Sequence, residues 1–179
     1  MARRSVRSYT GEALDELTAR RLIDAAILAP NAVNEQPWMF TVVRDAGLLD
    51  RISADAKEHL RATMPASVHA DHFRAMLGDA DFHIFYHAPA LIVVSASVPG
   101  PWIVEDCALA AGNLMLAACA EGLGSCWIGF AQGYLNTPQG KRALGLPDTC
   151  TAVAPIIVGH AKTAPLPVLR KAPDIHWIG

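Results

Sequence analysis

Glu105-Asp-Cys-Ala-Leu-Ala-Ala-Gly-Asn-Leu-Met-Leu-Ala-Ala-Cys-Ala-Glu121 carries the strongest helix signal in the chain. Ala108, Ala111, Met115 and Ala118 recur on one face, and small residues occur all round it. That pattern predicts a helix buried on several sides. Gly122-Leu-Gly124 then stops it. Apolar strand-like runs lie both before and after this helix, separated by further helical segments. A central buried helix among such strands predicts an α+β or α/β sandwich.

Ahead of that helix, Ala90-Leu-Ile-Val-Val-Ser-Ala-Ser97 is a continuous apolar run, the mark of a strand covered on both faces. Pro99-Gly100-Pro101 breaks it. Trp38-Met-Phe-Thr-Val-Val43 is a strand by its aromatic and β-branched content. Between them, residues 48–83 are more polar and read as helical with weak periodicity. Nearer the start, Asp15 is placed to cap a helix over 16–29, with Leu22, Ala25, Ala26 and Ala29 on one face. Pro30 disfavours helical geometry at Ala29 and ends it. A loop, Asn31-Ala-Val-Asn-Glu-Gln-Pro37, follows. Beyond the central helix come a short apolar segment over 125–130, closed by Gln132-Gly133, a modest helix over 139–144, and a last strand over 152–158. Pro165, Pro167 and Pro173 make the tail an extended arm. With no repeat, low-complexity run or linker, residues 1–179 read as a single domain.

Of the 179 residues, 52% are hydrophobic and 18% charged, which is apolar for a chain of this length and predicts further burial in an oligomer. A net charge of −2 excludes broad nucleic-acid binding, because positive charge is local. No run is expected to reach the apolar length of a membrane span, and the basic start lacks a signal peptide's apolar core. Cys107, Cys119, Cys126 and Cys150 form no CxxC pair and read as reduced thiols of a cytoplasmic protein. His69 and His72 would share a helical face, yet no third ligand stands near, so no metal site is expected.

Met1-Ala-Arg-Arg-Ser-Val-Arg7 has the highest charge density in the chain. In an extended segment Arg3, Ser5 and Arg7 face one way and Arg4 and Val6 the other. Arg3 and Arg7 then stand about 13 Å apart, which suits a long, thin anionic ligand. The plain alternative is a solvated basic tail.

Four separated features resemble one family. Arg3-Arg4-Ser5-Val6-Arg7-Ser8-Tyr9 resembles the RRSxRxF/Y opening of nitroreductase-family flavoproteins. Ala29-Pro30-Asn31-Ala32-Val33-Asn34-Glu35-Gln36-Pro37-Trp38 resembles the family's APSxxNxQPW loop. Glu121-Gly-Leu-Gly-Ser-Cys-Trp-Ile-Gly129 resembles its GLGSCWIG segment. Ile157-Val-Gly-His160, with Arg170-Lys171 after it, resembles the closing strand and basic tail. The resemblance implies an α+β, nitroreductase-like fold with a central, mostly antiparallel sheet flanked by helices. It also implies an intertwined homodimer with FMN at the subunit interface, and NADH or NADPH as electron donor. A small-molecule acceptor, nitroaromatic or quinone, would be reduced in a ping-pong cycle. Relatives commonly carry a short helix before the arginine motif, where this sequence shows only Met1 and Ala2. That departure bears on the dimer more than on flavin binding.

Carried onto this sequence, the resemblance puts Arg3 and Ser5 at the phosphate and ribityl end and Arg7 at the pyrimidine edge. Arg4 would reach phosphate or solvent. Asn34 would contact the ring's polar edge or ribityl, and Gln36 either joins it or supports the loop. Cys126, Trp127, Ile128 and Gly129 would pass the flavin face, with the Ile128 backbone N–H donating toward N5 and Gly129 allowing close approach. Trp127 packs either on the ring or into the core. Cys126 has no partner that would make it a nucleophile. Arg170 and Lys171 would return to the phosphate. Asn113 reads as a hydrogen-bonding residue at the dimer contact. The absence of any triad or carboxylate dyad is in keeping with chemistry carried by a cofactor. Dehalogenating or flavin-fragmenting chemistry, decided by the 48–83 region, is the alternative enzyme reading. A non-catalytic FMN-binding protein is the other.

Overall fold

The computed structural model describes residues 3–65 and 70–179. Among the described residues, strands β1 (Trp38–Val43), β2 (Ala90–Ala96), β3 (Gly124–Trp127) and β4 (Thr151–Gly159) form one sheet. Their order is β1-β2-β4-β3, and each neighbouring pair is antiparallel. Helices α1 (Glu16–Ala26), α2 (Ala46–Thr63), α3 (Ala70–Gly78), α4 (Ile103–Ala120), α5 (Gly129–Leu135) and α6 (Pro138–Leu144) surround it. An antiparallel sheet flanked by helices is the fold expected.

The two central strands show why their sequences do not alternate. All seven residues of β2 are buried. Ala90, Ile92 and Val94 face α1 and α4, where Leu22, Ala111 and Leu114 meet them. Leu91 and Val93 face the other layer, against Ile52, Phe85 and Leu135. A strand covered twice must be apolar at every position. In β4, Val94 stands opposite Ala154 and Ser95 opposite Ala152, so Val153 is an extra, bulged residue. It joins Ala154 on the α4 side.

Helix α4 departs from expectation in two ways. Its buried face runs through Cys107, Ala110, Ala111, Leu114 and Ala118, whereas Trp102, just ahead of it, and Val104, Leu109 and Leu116 are open. Its 18 residues also reach a mean hydropathy of 1.5, long and apolar enough to cross a membrane by composition. Its small-residue face is instead closed against the sheet. Asn113 donates to the Ala25 carbonyl at 3.3 Å, so its hydrogen bond lies within the chain. Ala25 is in the last turn of α1, where carbonyls lack helical partners.

Several boundaries shift for local reasons. Helix α1 stops at Ala26 rather than 29, and Ala29 N–H closes a single turn onto the Ala26 carbonyl ahead of Pro30. The 48–83 stretch divides into α2 and α3, with turns from 79 onward. His69 lies outside the described residues, and His72 is exposed on α3. Helix α5 has no counterpart in the sequence reading, which ended an apolar segment at Gln132-Gly133. Ala131, Tyr134 and Leu135 bury one side of α5 against the α2 layer. Helix α6 follows standard end chemistry: Thr137 accepts from Gly140 N–H, Pro138 opens it, and Gly145 closes it at φ 65°. All four cysteines are free thiols.

Asp15 caps α1 as expected, accepting from both the backbone N–H and the hydroxyl of Thr18 at 2.8 and 2.7 Å. These bonds hold its carboxyl below the ordinary range. A carboxyl with a depressed folded-state pKa stabilises above its unfolded value, and that contribution is lost as pH falls through the folded one. Asp15→Asn keeps the cap without the charge. Its melting temperature should therefore fall less steeply than the parent's below pH 4. Superimposable acid limbs would show that Asp15 carries no such linkage.

Candidate functional site

The N-terminal segment is not a loose tail. Ser5 forms a parallel bridge with Ser125 of β3, and Val6 N–H donates to the Ser125 carbonyl at 3.0 Å. Val6 is buried over Gly124, where an added Cβ would sit 2.7 Å from the valine side chain. Glycine at 124 is what lets the segment lie so close to the sheet. Tyr9 then pairs with Ala161, and its hydroxyl donates to the Val6 carbonyl at 2.7 Å. Burial pushes the Tyr9 phenol far above its ordinary pKa, so it remains a neutral donor.

Fixed in this way, Arg3, Arg4, Ser5 and Arg7 line one cleft of about 350 Å³ with Arg170 of the C-terminal arm. Pro165, Leu166 and Val168 supply the rest of its wall. Among the described residues, four guanidinium groups line this cleft and no carboxylate does. Arg4 bonds the Leu166 carbonyl at 3.2 Å, 162 residues away, and so ties the arm to the arginine segment. The Arg7 guanidinium lies over the Tyr86 ring, 5.9 Å from its centre, a cation–π contact that steadies an exposed side chain. Lys171 is exposed and is not part of the cleft wall.

The 124–129 segment divides by strand alternation. Cys126 is buried in the α2 layer, and Trp127 packs toward the α4 layer. Neither side chain lines the arginine cleft. The Ile128 N–H, expected to donate toward N5, is bonded to the Pro155 carbonyl at 2.8 Å and so is engaged within the sheet. The next N–H is that of Gly129, which is exposed. A Cβ added there would meet nothing within 4 Å.

Asn34 and Gln36 lie elsewhere. Gln36 donates to Asn34 at 3.0 Å, and both are exposed. Val33, Asn34 and Gln36 all have left-handed backbone, φ 47°, 56° and 50°. This is costly for non-glycine residues, above all for β-branched Val33. Asp106, which the sequence reading passed over, holds the loop. It is buried, and its Oδ1 accepts from Ala32 N–H at 2.9 Å. The loop therefore sits at the start of α4, while Arg3 and Arg4 share a pocket with Cys119 and Gly122 at its end. Eighteen helical residues span about 27 Å. One chain does not bring Asn34 and the arginine cleft to the same place. Tyr86, Leu166 and Asp106 carried no local signal, since each acts through a residue distant in sequence.

Residues 1–160 match the family model described as the nitroreductase family. A provisionally named NADH dehydrogenase/NAD(P)H nitroreductase of Archaeoglobus fulgidus is 31% identical over 160 residues, covering 89% of this chain and 82% of its own. A 5,6-dimethylbenzimidazole synthase of Rhodospirillum rubrum is 28% identical over 185 residues, covering 94% of this chain and 83% of its own. Among solved structures, an FMN-bound nitroreductase from Bacteroides fragilis superposes with a TM-score of 0.86 at 26% identity, over 99% of this chain and 95% of that one. With its motifs in order and its fold matching throughout, the chain belongs to the nitroreductase family.

Proposed function

We propose that the chain is an FMN-dependent oxidoreductase that draws electrons from NADH or NADPH and passes them to a small acceptor such as a nitroaromatic or quinone. The observation that carries this reading is the cleft of four arginines with, among the described residues, no acidic side chain in its wall. Such a cleft is self-repelling until an anion fills it. Arg3, Ser5 and Arg170 would bind the phosphate end through charge-assisted bonds. Arg7, steadied on Tyr86, would place positive charge at the polar edge of the ring, where a cation favours reduction. The N–H of Gly129, an exposed residue, would donate toward N5 in place of the Ile128 N–H, which is bonded to Pro155. When bound, FMN supplies the capacity to accept a hydride from the nucleotide and deliver it onward.

The distance between Asn34 and the arginines supports a homodimer. The open face of α4, with Leu109 and Leu116 half exposed, offers a surface for a second copy. Two α4 helices packed antiparallel would set the Asn34 end of one beside the arginine end of the other. Asn34 would then complete its partner's site. The synthase likeness keeps a second flavin reaction in view, with the acceptor side of the site deciding between them.

Purified protein should be yellow, sediment as a dimer, and bleach anaerobically with NADH or NADPH. Colourless protein that cannot be reconstituted with FMN would sink the proposal. Flavin reduction too slow for turnover would leave a binding protein. Reduction by the nucleotide with consumption of FMN itself, rather than of a quinone or nitrofuran, would favour the second reaction.

A further inference from the structure

Away from the arginine cleft, a cavity of about 450 Å³ opens beside the start of β2. Asp50 of α2 and His83 and His87 of the following connection all line it. One donor atom from each lies within 4.8 Å of the other two. His83 Nε2 and Asp50 Oδ1 are 3.2 Å apart, and the two imidazole rings face each other at 4.5 Å between centres. We propose that Asp50, His83 and His87 bind a divalent transition-metal ion of the zinc type, a site the sequence did not lead us to expect.

The geometry is close to what such an ion requires. Tetrahedral ligands at about 2.1 Å place neighbouring donor atoms about 3.4 Å apart, near the spacing of the His83–Asp50 pair. His87 and Asp50 are exposed, so small rotations close the remaining gap, while His83 is held with only 11% of its side chain exposed. Two imidazoles and one carboxylate make a borderline set suited to zinc, nickel or copper rather than calcium or magnesium. The cavity leaves room for water to complete the coordination.

The backbone supports the same reading. His83-Ile-Phe-Tyr-His87 is not helical: Tyr86 and His87 both sit in the left-handed region, φ 52° and 51°. This conformation, which non-glycine residues adopt at a cost, returns His87 to face His83. Two features limit affinity. Phe85 N–H donates to His83 Nδ1 at 3.1 Å, so ligation through Nε2 moves the ring proton to Nδ1 and releases that bond. Arg44, bonded to the Leu14 carbonyl, adds a positive charge to the same cavity. The expected affinity is therefore micromolar, well short of a structural zinc site.

The test is calorimetric titration of chelator-stripped full-length protein with Zn²⁺ alone, both with and without FMN. One ion per chain should bind at micromolar concentration in either state, and Co²⁺ should give absorption bands of a low-symmetry nitrogen–oxygen site. His87→Gln and Asp50→Asn should each weaken Zn²⁺ at least tenfold. Both change exposed side chains, and their metal-free melting temperatures should match the parent's. His72→Gln and Cys119→Ser should bind as the parent does. Absence of stoichiometric binding, or binding that survives His87→Gln and Asp50→Asn together, overturns the site. Neither result bears on whether the arginine cleft holds a flavin.

Discussion

Arg3→Ala is expected to raise the dissociation constant for FMN about ten- to a hundredfold. Arg3 is half buried and lines both the arginine cleft and the adjoining pocket floored by Gly124 and Ser125. Among the described residues no carboxylate lines either space, so those walls offer its guanidinium no ion-pair partner in place of a phosphate. Loss of a hydrogen bond to a charged group costs roughly 1.5–3 kcal/mol, which is the stated range in affinity. Arg7→Ala should behave differently, slowing anaerobic bleaching by NAD(P)H more than it weakens binding. Arg7 is exposed, and its contact within the chain is the Tyr86 ring rather than the arm. Fluorescence titration with FMN and stopped-flow reduction separate the two effects. If both variants bind FMN and bleach at the parent rate, the arginine cleft is not the flavin site.

Gly140→Ala should cost about 3 kcal/mol of stability, lowering the melting temperature by about 6–12 °C. A Cβ at this position would overlap the Tyr134 carbonyl oxygen and stand 2.7 Å from Leu135 Cα. Both are backbone atoms of α5, and Tyr134 and Leu135 are buried in the α2 layer. Relief would require α6 to move away from α5. The turn between them is held by Thr137, which bonds both the Tyr134 carbonyl and Gly140 N–H. Gly78→Ala, at the end of α3, is the matching control, since a Cβ there meets nothing within 4 Å. A Gly140→Ala protein melting within about 2 °C of the parent would refute this account of the α5–α6 packing.

Strands β1, β2 and β4 could be read from sequence to within a residue or two because their patterns are local. Aromatic and β-branched residues over 38–43 and continuous apolar runs over 90–97 and 152–158 have few other uses. Helix α5 could not be read, because Gln132-Gly133 looks like an ending. Only the burial of Ala131, Tyr134 and Leu135 makes it helical. The loop at Asn34 was recognised by its residues, but three left-handed positions leave no signature when none is glycine. The Asp50–His83–His87 cluster was equally hidden. Its residues are 33 and 4 apart, and the turn that gathers them defies backbone preference.

Charge, spacing and family resemblance single out Arg3, Ser5, Arg7 and Arg170, and the structure brings all four to the wall of one cleft. Their chemistry is intrinsic to each side chain and survives without a fold. How they are held and what they can reach depend instead on contacts between distant parts of the chain. Val6 lies flat because Gly124 has no side chain, Arg4 serves the arm through Leu166, and Ile128 gives its N–H to Pro155. The length of α4 separates Asn34 from the arginines. Each of these is a contact or a separation set by packing, and packing is a property of the whole chain that no local stretch contains.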